Sequence, residues 1–471
     1  MLKVFFTTPP LSLEKRYGTF SGGGSAAPSL GILMLASVAR NDGCTSSVVD
    51  AAALSLSEQE LLQRLAEVRP EILCISSTTL AIGNANSFAV EAKRLIPALI
   101  VIVGGPHVTA TPLETMARCP AFDMAVIGEG EATLVELLRA HRAGSNLSSV
   151  AGLIVREGNE LRDTGRRPFI ADLDSLPFPA WDLLEGFPQR YLPAPFKVRQ
   201  LPATTLVTTR GCPNTCIFCD RSVFGSSCHA YSAEYVVRQM TELYHRYGIR
   251  EFSFEDDTFI TFKSRLQDIC NRLIELGLDI SWTCLGRVNH VTADNLRLMK
   301  RAGCWQISFG IESGSQEILY LINKRIRLDQ VRQAVRLSRE AGIRTKGFFI
   351  LGHPGETRET MRMTIDFALE LPLDDISVCH MTPFPGTELH ARAAEFGDFD
   401  PDWGAMNLLN IVFIPHGLTR NDLLSAQKEL IRRFYFRPRI ITDYGKRLVR
   451  NPAMALGLWN GFRSLIRSIR N

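Results

Sequence analysis

Three cysteines, Cys212, Cys216 and Cys219, stand at a C-x3-C-x2-C spacing inside TTRGCPNTCIFCDRSVFG, the stretch from Thr208 to Gly225. They fall in a short loop after an apolar run, near enough in the chain for their thiolates to converge on one inorganic centre. An iron–sulfur cube usually takes four such ligands. With three, one iron stays open to bind a substrate or cofactor. The competing reading is a structural zinc site completed by Cys228 or His229, because zinc also favours closed sets of four. Spacing alone leaves both open.

The elements that would position this loop are strand–helix units. Thr204–Thr209 precedes the cysteines, and strands are expected again at Glu251–Glu255, Asp279–Thr283, Trp305–Gly310, Arg344–Leu351 and Asp375–Met381, with helical patterns between them. Six parallel units make a partial barrel, whose active site lies at the carboxyl ends of its strands. The cysteine loop sits at the end of the first. The other ends carry polar residues: Glu255, Asp256 and Asp257 after the second strand, Thr283 and Arg287 after the third, Ser308, Glu312 and Ser313 at the fourth. Taken singly, each acid reads as a loop residue or a helix N-cap. Cys284 at a strand end reads as a buried free thiol.

Upstream, Val4–Thr7, Ser46–Asp50, Ile72–Ser76, Leu99–Val103 and Met124–Ile127 read as five strands with helices between them, a parallel sheet covered on both faces. Ligands of such doubly wound sheets sit at the carboxyl strand ends. Those ends hold Ser76-Ser77, Gly104-Gly105-Pro106-His107 and Gly128-Glu129-Gly130-Glu131. Glycines there let a large flat ligand approach the backbone. By itself this reads equally as a nucleotide or flavin fold. Val150–Asp163 reads as a hairpin turned at Gly158-Asn159, followed by a proline-rich connector.

With these motifs in hand, the cysteine loop resembles that of the radical S-adenosylmethionine superfamily, and Phe218 fills the aromatic position before the last cysteine. The first 145 residues, with GGPHVT and VIGEGE as local matches, resemble the cobalamin-binding domain that precedes many of these enzymes. The resemblance covers the group that includes cobalamin-dependent methyltransferases and anaerobic porphyrin-ring cyclases. It implies a 4Fe–4S cluster on Cys212, Cys216 and Cys219. It implies S-adenosylmethionine near Phe218, Asp256, Asp257, Arg287 and Glu312, and cobalamin near Ser76, Ser77, Gly104, Gly105, Pro106, Gly128 and Glu129. The Asp-x-His-x-x-Gly motif of methionine-synthase-type domains is absent, since Gly105 stands two before His107. His107 is therefore read as a structural histidine.

The expected organisation is a Rossmann-like cobalamin domain over 1–145, a hairpin and linker over 146–199, a radical barrel over 200–394 and a basic helical region over 395–471. From Arg432 onward there are ten Lys or Arg residues and one acid, Asp443. They read as a helical cap over the barrel or as a basic amphipathic segment on an anionic membrane.

A net charge of +4 over 471 residues gives no field for nucleic acid. Eleven cysteines without a disulfide pattern point to a reducing cytoplasm. The amino terminus reads as no signal peptide, and no apolar run approaches the ~18 residues of a bilayer span. The expected location is cytoplasmic, with peripheral contact at the inner face of the membrane through the basic region.

The expected activity is cleavage of S-adenosylmethionine to a 5′-deoxyadenosyl radical, hydrogen abstraction from an unactivated carbon and methyl transfer from methylcobalamin. Expected partners are a small-molecule substrate, hydrophobic or lipid-like, and an electron donor such as flavodoxin or ferredoxin. The same cofactors in a non-methylating cyclisation, and a cobalamin-binding sensor or carrier, are the alternatives.

Overall fold

A computed structural model of the chain describes residues 1–450 together with 459 and 463. The rest of the basic tail lies outside the described residues. The amino-terminal sheet contains β1 (Lys3–Thr8), β2 (Thr45–Asp50), β3 (Ile72–Ser76), β4 (Ile100–Gly104), β5 (Met124–Val126), β6 (Leu153–Glu157) and β7 (Glu160–Asp163), in the order β2-β1-β3-β4-β5-β6-β7. The first five pair in parallel, and β6 and β7 add antiparallel. The sheet is thus seven-stranded where five were expected. The hairpin read as part of the linker covers β5, which would otherwise be a short apolar edge open to pairing.

The second sheet is built from β8 (Ala203–Leu206), β9 (Glu251–Phe254), β10 (Ser281–Gly286), β11 (Cys304–Glu312), β12 (Arg344–Leu351) and β13 (Asp375–His380). These six strands are parallel and lie in sequence order, the curled half-barrel that the repeating strand–helix pattern demands. Its first strand stops at Leu206, short of the expected Thr209. Thr209–Arg210 instead pairs antiparallel with His229–Ala230 and pinches the base of the cysteine loop.

Alternation along β1 joins the two halves. Phe5 enters one apolar core, on the face covered by Phe88 and also by Trp403 and Met406 of the carboxyl-terminal region. Val4 and Phe6 enter the other, which runs on through the linker residues Trp181 and Tyr191 into the barrel. The linker is stapled on both sides. Ala180 N–H donates to Leu33 (3.1 Å) and Ser37 to the Phe178 carbonyl (2.7 Å), while Tyr235 donates to Pro177 (2.9 Å).

The described part of the carboxyl-terminal region is mostly helical. Helix Arg420–Tyr435 packs on helix Arg358–Glu370 and on β13. Helix Pro438–Arg450 lies at the amino ends of the barrel strands, where Asp443 pairs with Arg344 (2.7 Å), Tyr444 reaches Asp375 (3.4 Å) and Arg447 stacks on Trp305. This segment caps the barrel. No helix among the described residues is long and apolar enough to cross a membrane.

Candidate active site

The cysteine loop lies at the carboxyl end of the barrel. Cys216 is buried, Cys212 half-buried and Cys219 exposed, all as free thiols. Cys216 Sγ receives an N–H from Arg287 at 3.9 Å, and Asn214 donates to Cys212 Sγ at 3.1 Å. A hydrogen bond from Cys219 lowers the Cys216 thiol, against burial and with help from Lys324 and Arg287; the Cys219 thiol is pushed up in return. The loop's surroundings therefore favour thiolate at its centre, the form that binds metal. The residues that would complete a zinc site have other partners: Cys228 faces Thr258 (3.8 Å) and His229 faces Ser227 (2.9 Å). Among the described residues no three His, Cys, Asp or Glu side chains have single-ion spacing. A cube offers a separate iron to each thiol, so convergence on one point is not required of its ligands. Three free thiols in one loop are a donor set that fits such a cluster.

The strand-end residues divide into those that face this space and those that hold it up. Arg287 is buried; besides Cys216 it donates to the Lys324 carbonyl, and its Nε has no partner among the described residues. Glu312 sits in a left-handed conformation (φ +67°) at a register shift between β11 and β12, and its carboxylate pairs with Lys324 at 2.6 Å. Lys324 in turn lies over the Phe218 ring at 5.9 Å. Phe218 is half-buried, 6.5 Å from the His353 ring. Asp256 is differently placed from its expectation beside the cofactor. Its carboxylate is fully buried, accepts from Thr208 N–H (2.8 Å) and Oγ1 (3.0 Å), and is raised by burial to about 6. It props the start of the cysteine loop. Asp257 is the member of the pair that opens to solvent, with partial desolvation raising its carboxyl.

Between the barrel and the first sheet lies a cavity of about 350 Å³. Ser76, Gly104, Gly105, Pro106 and Gly128 form one wall, and Leu206, Val207, Val223, Phe224, Tyr231 and Tyr235 of the barrel form the other. The carboxyl strand ends of the first sheet thus share one space with the end of β8 and the segment that follows the cysteine loop. Its apolar wall and its glycine backbone suit a planar heterocycle, and its volume takes one part of a large cofactor rather than the whole. Ser77 is not on this wall. It is buried, donates to the Thr78 carbonyl, and its N–H is bonded to Gly104. Glu129 borders the cavity, but its carboxylate accepts from Arg210 (2.6 Å) and from Ile170 N–H (2.7 Å). His107 stands outside, buried against Trp403 (4.4 Å) and Thr79 (3.2 Å), its imidazole lowered by burial to about 4.

Sequence reasoning did not name Arg210 or Lys324, and it named Glu131 only within the glycine-rich strand end. Arg210 precedes Gly211-Cys212 and bridges to Glu129 and Glu131, both at 2.6 Å, with all three side chains buried. Burial opposes its charge, and Glu131, Tyr231 and Glu129 together outweigh that to hold it protonated. The GEGE run was the available signal, but its acids carried no hint of a partner about 80 residues away in the chain.

Two family models match the chain: the radical SAM superfamily over residues 206–368 and the B12 binding domain over 23–138. An uncharacterised methyltransferase of Pyrococcus horikoshii is 35% identical over 444 residues, 94% of each chain. The anaerobic magnesium-protoporphyrin IX monomethyl ester cyclase of Cereibacter sphaeroides is 29% identical over 88% of this chain and 69% of its own. Among solved structures, the cobalamin-dependent S-adenosylmethionine radical enzyme OxsB, with aqua-cobalamin and S-adenosylmethionine bound, aligns with a TM-score of 0.76 at 18% identity. The alignment covers 98% of this chain and 72% of OxsB.

Proposed function

The chain belongs to the radical S-adenosylmethionine enzymes that carry a B12-binding domain, and from that premise we propose that it is a C-methyltransferase acting on an unactivated carbon of a small molecule. Its cofactors are S-adenosylmethionine, a 4Fe–4S cluster and cobalamin. When bound, the cluster supplies the electron that cleaves S-adenosylmethionine to a 5′-deoxyadenosyl radical that takes hydrogen from substrate, and cobalamin supplies the methyl group. The rest is what this chain's residues do.

Cys212, Cys216 and Cys219 are the residues to hold the cluster, with Arg287 donating toward Cys216 Sγ. Phe218, Asp257, Arg287 and the Glu312–Lys324 pair surround the space for S-adenosylmethionine. They offer an aromatic face, carboxylates for an ammonium and ribose hydroxyls, and cations for a carboxylate. Asp256 acts through Thr208 on the loop. Ser76, Gly104, Gly105, Pro106 and Gly128 give cobalamin its backbone cradle, and Glu129 with Glu131 fixes that cradle to the barrel through Arg210. The observation that carries the reading is the shared cavity, in which the strand ends of the first sheet meet the end of β8 and the segment that follows the cysteine loop.

The test is anaerobic reconstitution with iron, sulfide and hydroxocobalamin, followed by S-adenosylmethionine labelled in its methyl group and a strong reductant. Formation of 5′-deoxyadenosine that is lost in Cys216→Ala, with stoichiometric corrinoid in the visible spectrum, is expected. Cleavage without bound corrinoid would remove methyl transfer by cobalamin. A second reading, ring closure on the same cofactors, is favoured by the similarity to the porphyrin cyclase. It predicts the same 5′-deoxyadenosine with no label in the product.

A further inference from the structure

A one-electron reductant must reach the cysteine loop from outside, and an exposed surface lies directly against that loop. Residues 322–327 follow the short helix Gln316–Leu321 and lie directly on the loop. Ile217 N–H donates to the Ile322 carbonyl (3.2 Å). Asn323 Nδ2 donates to both the carbonyl (2.8 Å) and Oγ1 (2.7 Å) of Thr215, the residue before Cys216. Arg325 Nε donates to Asn323 Oδ1 at 2.9 Å. A chain of two hydrogen-bonded steps therefore connects an exposed guanidinium to the peptide next to Cys216.

The segment is held rigid from beneath. Ile322, Lys324 and Ile326 are buried, while Arg325 and Arg327 point outward. Asn323 and Arg325 both adopt left-handed backbone (φ +52° and +53°), a conformation that costs free energy in a non-glycine residue and persists only where the surroundings impose it. Beside them stand Tyr320, 66% exposed, and Leu321, 49% exposed. Arg327 is paired with Asp329, but Arg325 has no carboxylate partner among the described residues. An exposed aromatic–aliphatic pair next to an unneutralised arginine is the pattern of a small transient interface in which charge steers encounter.

We propose that Tyr320, Leu321 and Arg325 form the docking surface for a small acidic one-electron carrier protein. The inference rests on the reading that Cys212, Cys216 and Cys219 hold the cluster. In the step, the carrier loses one electron and the cluster gains it, passing from the 2+ to the 1+ level, with no bond made or broken. Charge complementarity selects the occupant, since the exposed guanidinium lies two hydrogen bonds from the peptide before Cys216.

The experiment measures the rate of cluster bleaching in the reconstituted holoenzyme with reduced flavodoxin, with reduced 2Fe–2S ferredoxin and with dithionite. Arg325→Glu is expected to slow reduction by the faster carrier at least fivefold and to flatten its dependence on ionic strength, with dithionite reduction unchanged. Arg325→Lys keeps most of the rate. Leu321→Ser slows the carrier and not dithionite. Arg272→Glu, on an outer helix, serves as the control. Unaltered carrier rates in Arg325→Glu, an equal loss in Arg272→Glu, or no reduction of the unsubstituted protein by either carrier would overturn the docking surface. Failure of dithionite itself to bleach a cluster would instead overturn the underlying reading of the cysteine loop.

Discussion

The guanidinium of Arg210 lies 2.6 Å from the carboxylate of Glu131, and both side chains are shut off from water. Arg210 belongs to the short strand at the base of the cysteine loop and Glu131 to the first turn of helix Gly130–Arg142 after β5, so with Glu129 as third member the buried triad ties the two sheets together. Buried charges are tolerated only when paired, and removing one partner leaves the other uncompensated. Arg210→Met is expected to destabilise the protein by about 3–5 kcal/mol, read as a lowered apparent melting temperature. The cofactor-free protein should show it, because the pair needs no cofactor to form.

Gly105 holds φ +102° at the end of β4, and a Cβ there would stand 2.7 Å from the Ser77 carbonyl oxygen and 2.9 Å from its nitrogen. Both neighbours are backbone, so neither can turn aside. Gly105→Ala should cost at least about 1–3 kcal/mol for the backbone conformation alone. It should also displace the Ser76–Ser77 turn that borders the cavity. Equilibrium binding of hydroxocobalamin by the substituted protein, followed by its visible spectrum, is expected to weaken by tenfold or more.

Burial raises the Glu356 carboxyl to about 8, although one oxygen accepts N–H groups from Gly352 and His353; the other has no partner among the described residues. The folded state therefore binds more protons than the unfolded state between the ordinary value of 4.5 and about 8, and stability falls as pH rises through that window. Glu251, raised by burial to about 7, acts in the same direction. Melting temperatures at pH 6 and pH 9 should differ clearly in the unsubstituted protein and less in Glu356→Gln, which carries no charge at either pH. An unchanged difference would refute the assignment.

His107 packs on Trp403 and faces Thr79, away from the cavity. His107→Asn should leave the electron paramagnetic resonance spectrum of bound cob(II)alamin unchanged, while stability falls because Trp403 loses its edge-on partner. Loss of a nitrogen splitting in that spectrum would make His107 a cobalt ligand instead.

Much of this was written in the chain. Parallel strands were legible because apolar runs such as Ile72–Ser76 and Ile100–Gly104 are buried on both faces and cannot alternate. The cysteine loop was legible because its donors are adjacent in sequence. The place of β6 and β7 in the sheet was not. The hairpin Leu153–Asp163 reads as a local unit, and only its pairing with β5 makes it part of the first sheet.

The sequence by itself determined which residue types gather at which strand ends, because a strand's direction and the turn after it are local properties. It thereby determined the two sheets and the three thiols. Only the tertiary structure decided which of those polar residues turn inward as supports. Asp256 and Asp257 are neighbours with the same side chain, yet one lies beneath Thr208 and the other opens to solvent. Glu129 and Glu131 stand among glycines that read as a ligand cradle, yet they grip an arginine from the other sheet. The physical reason is that a buried charge must find a partner, and that partner comes from wherever the chain returns in space, which no local spacing records.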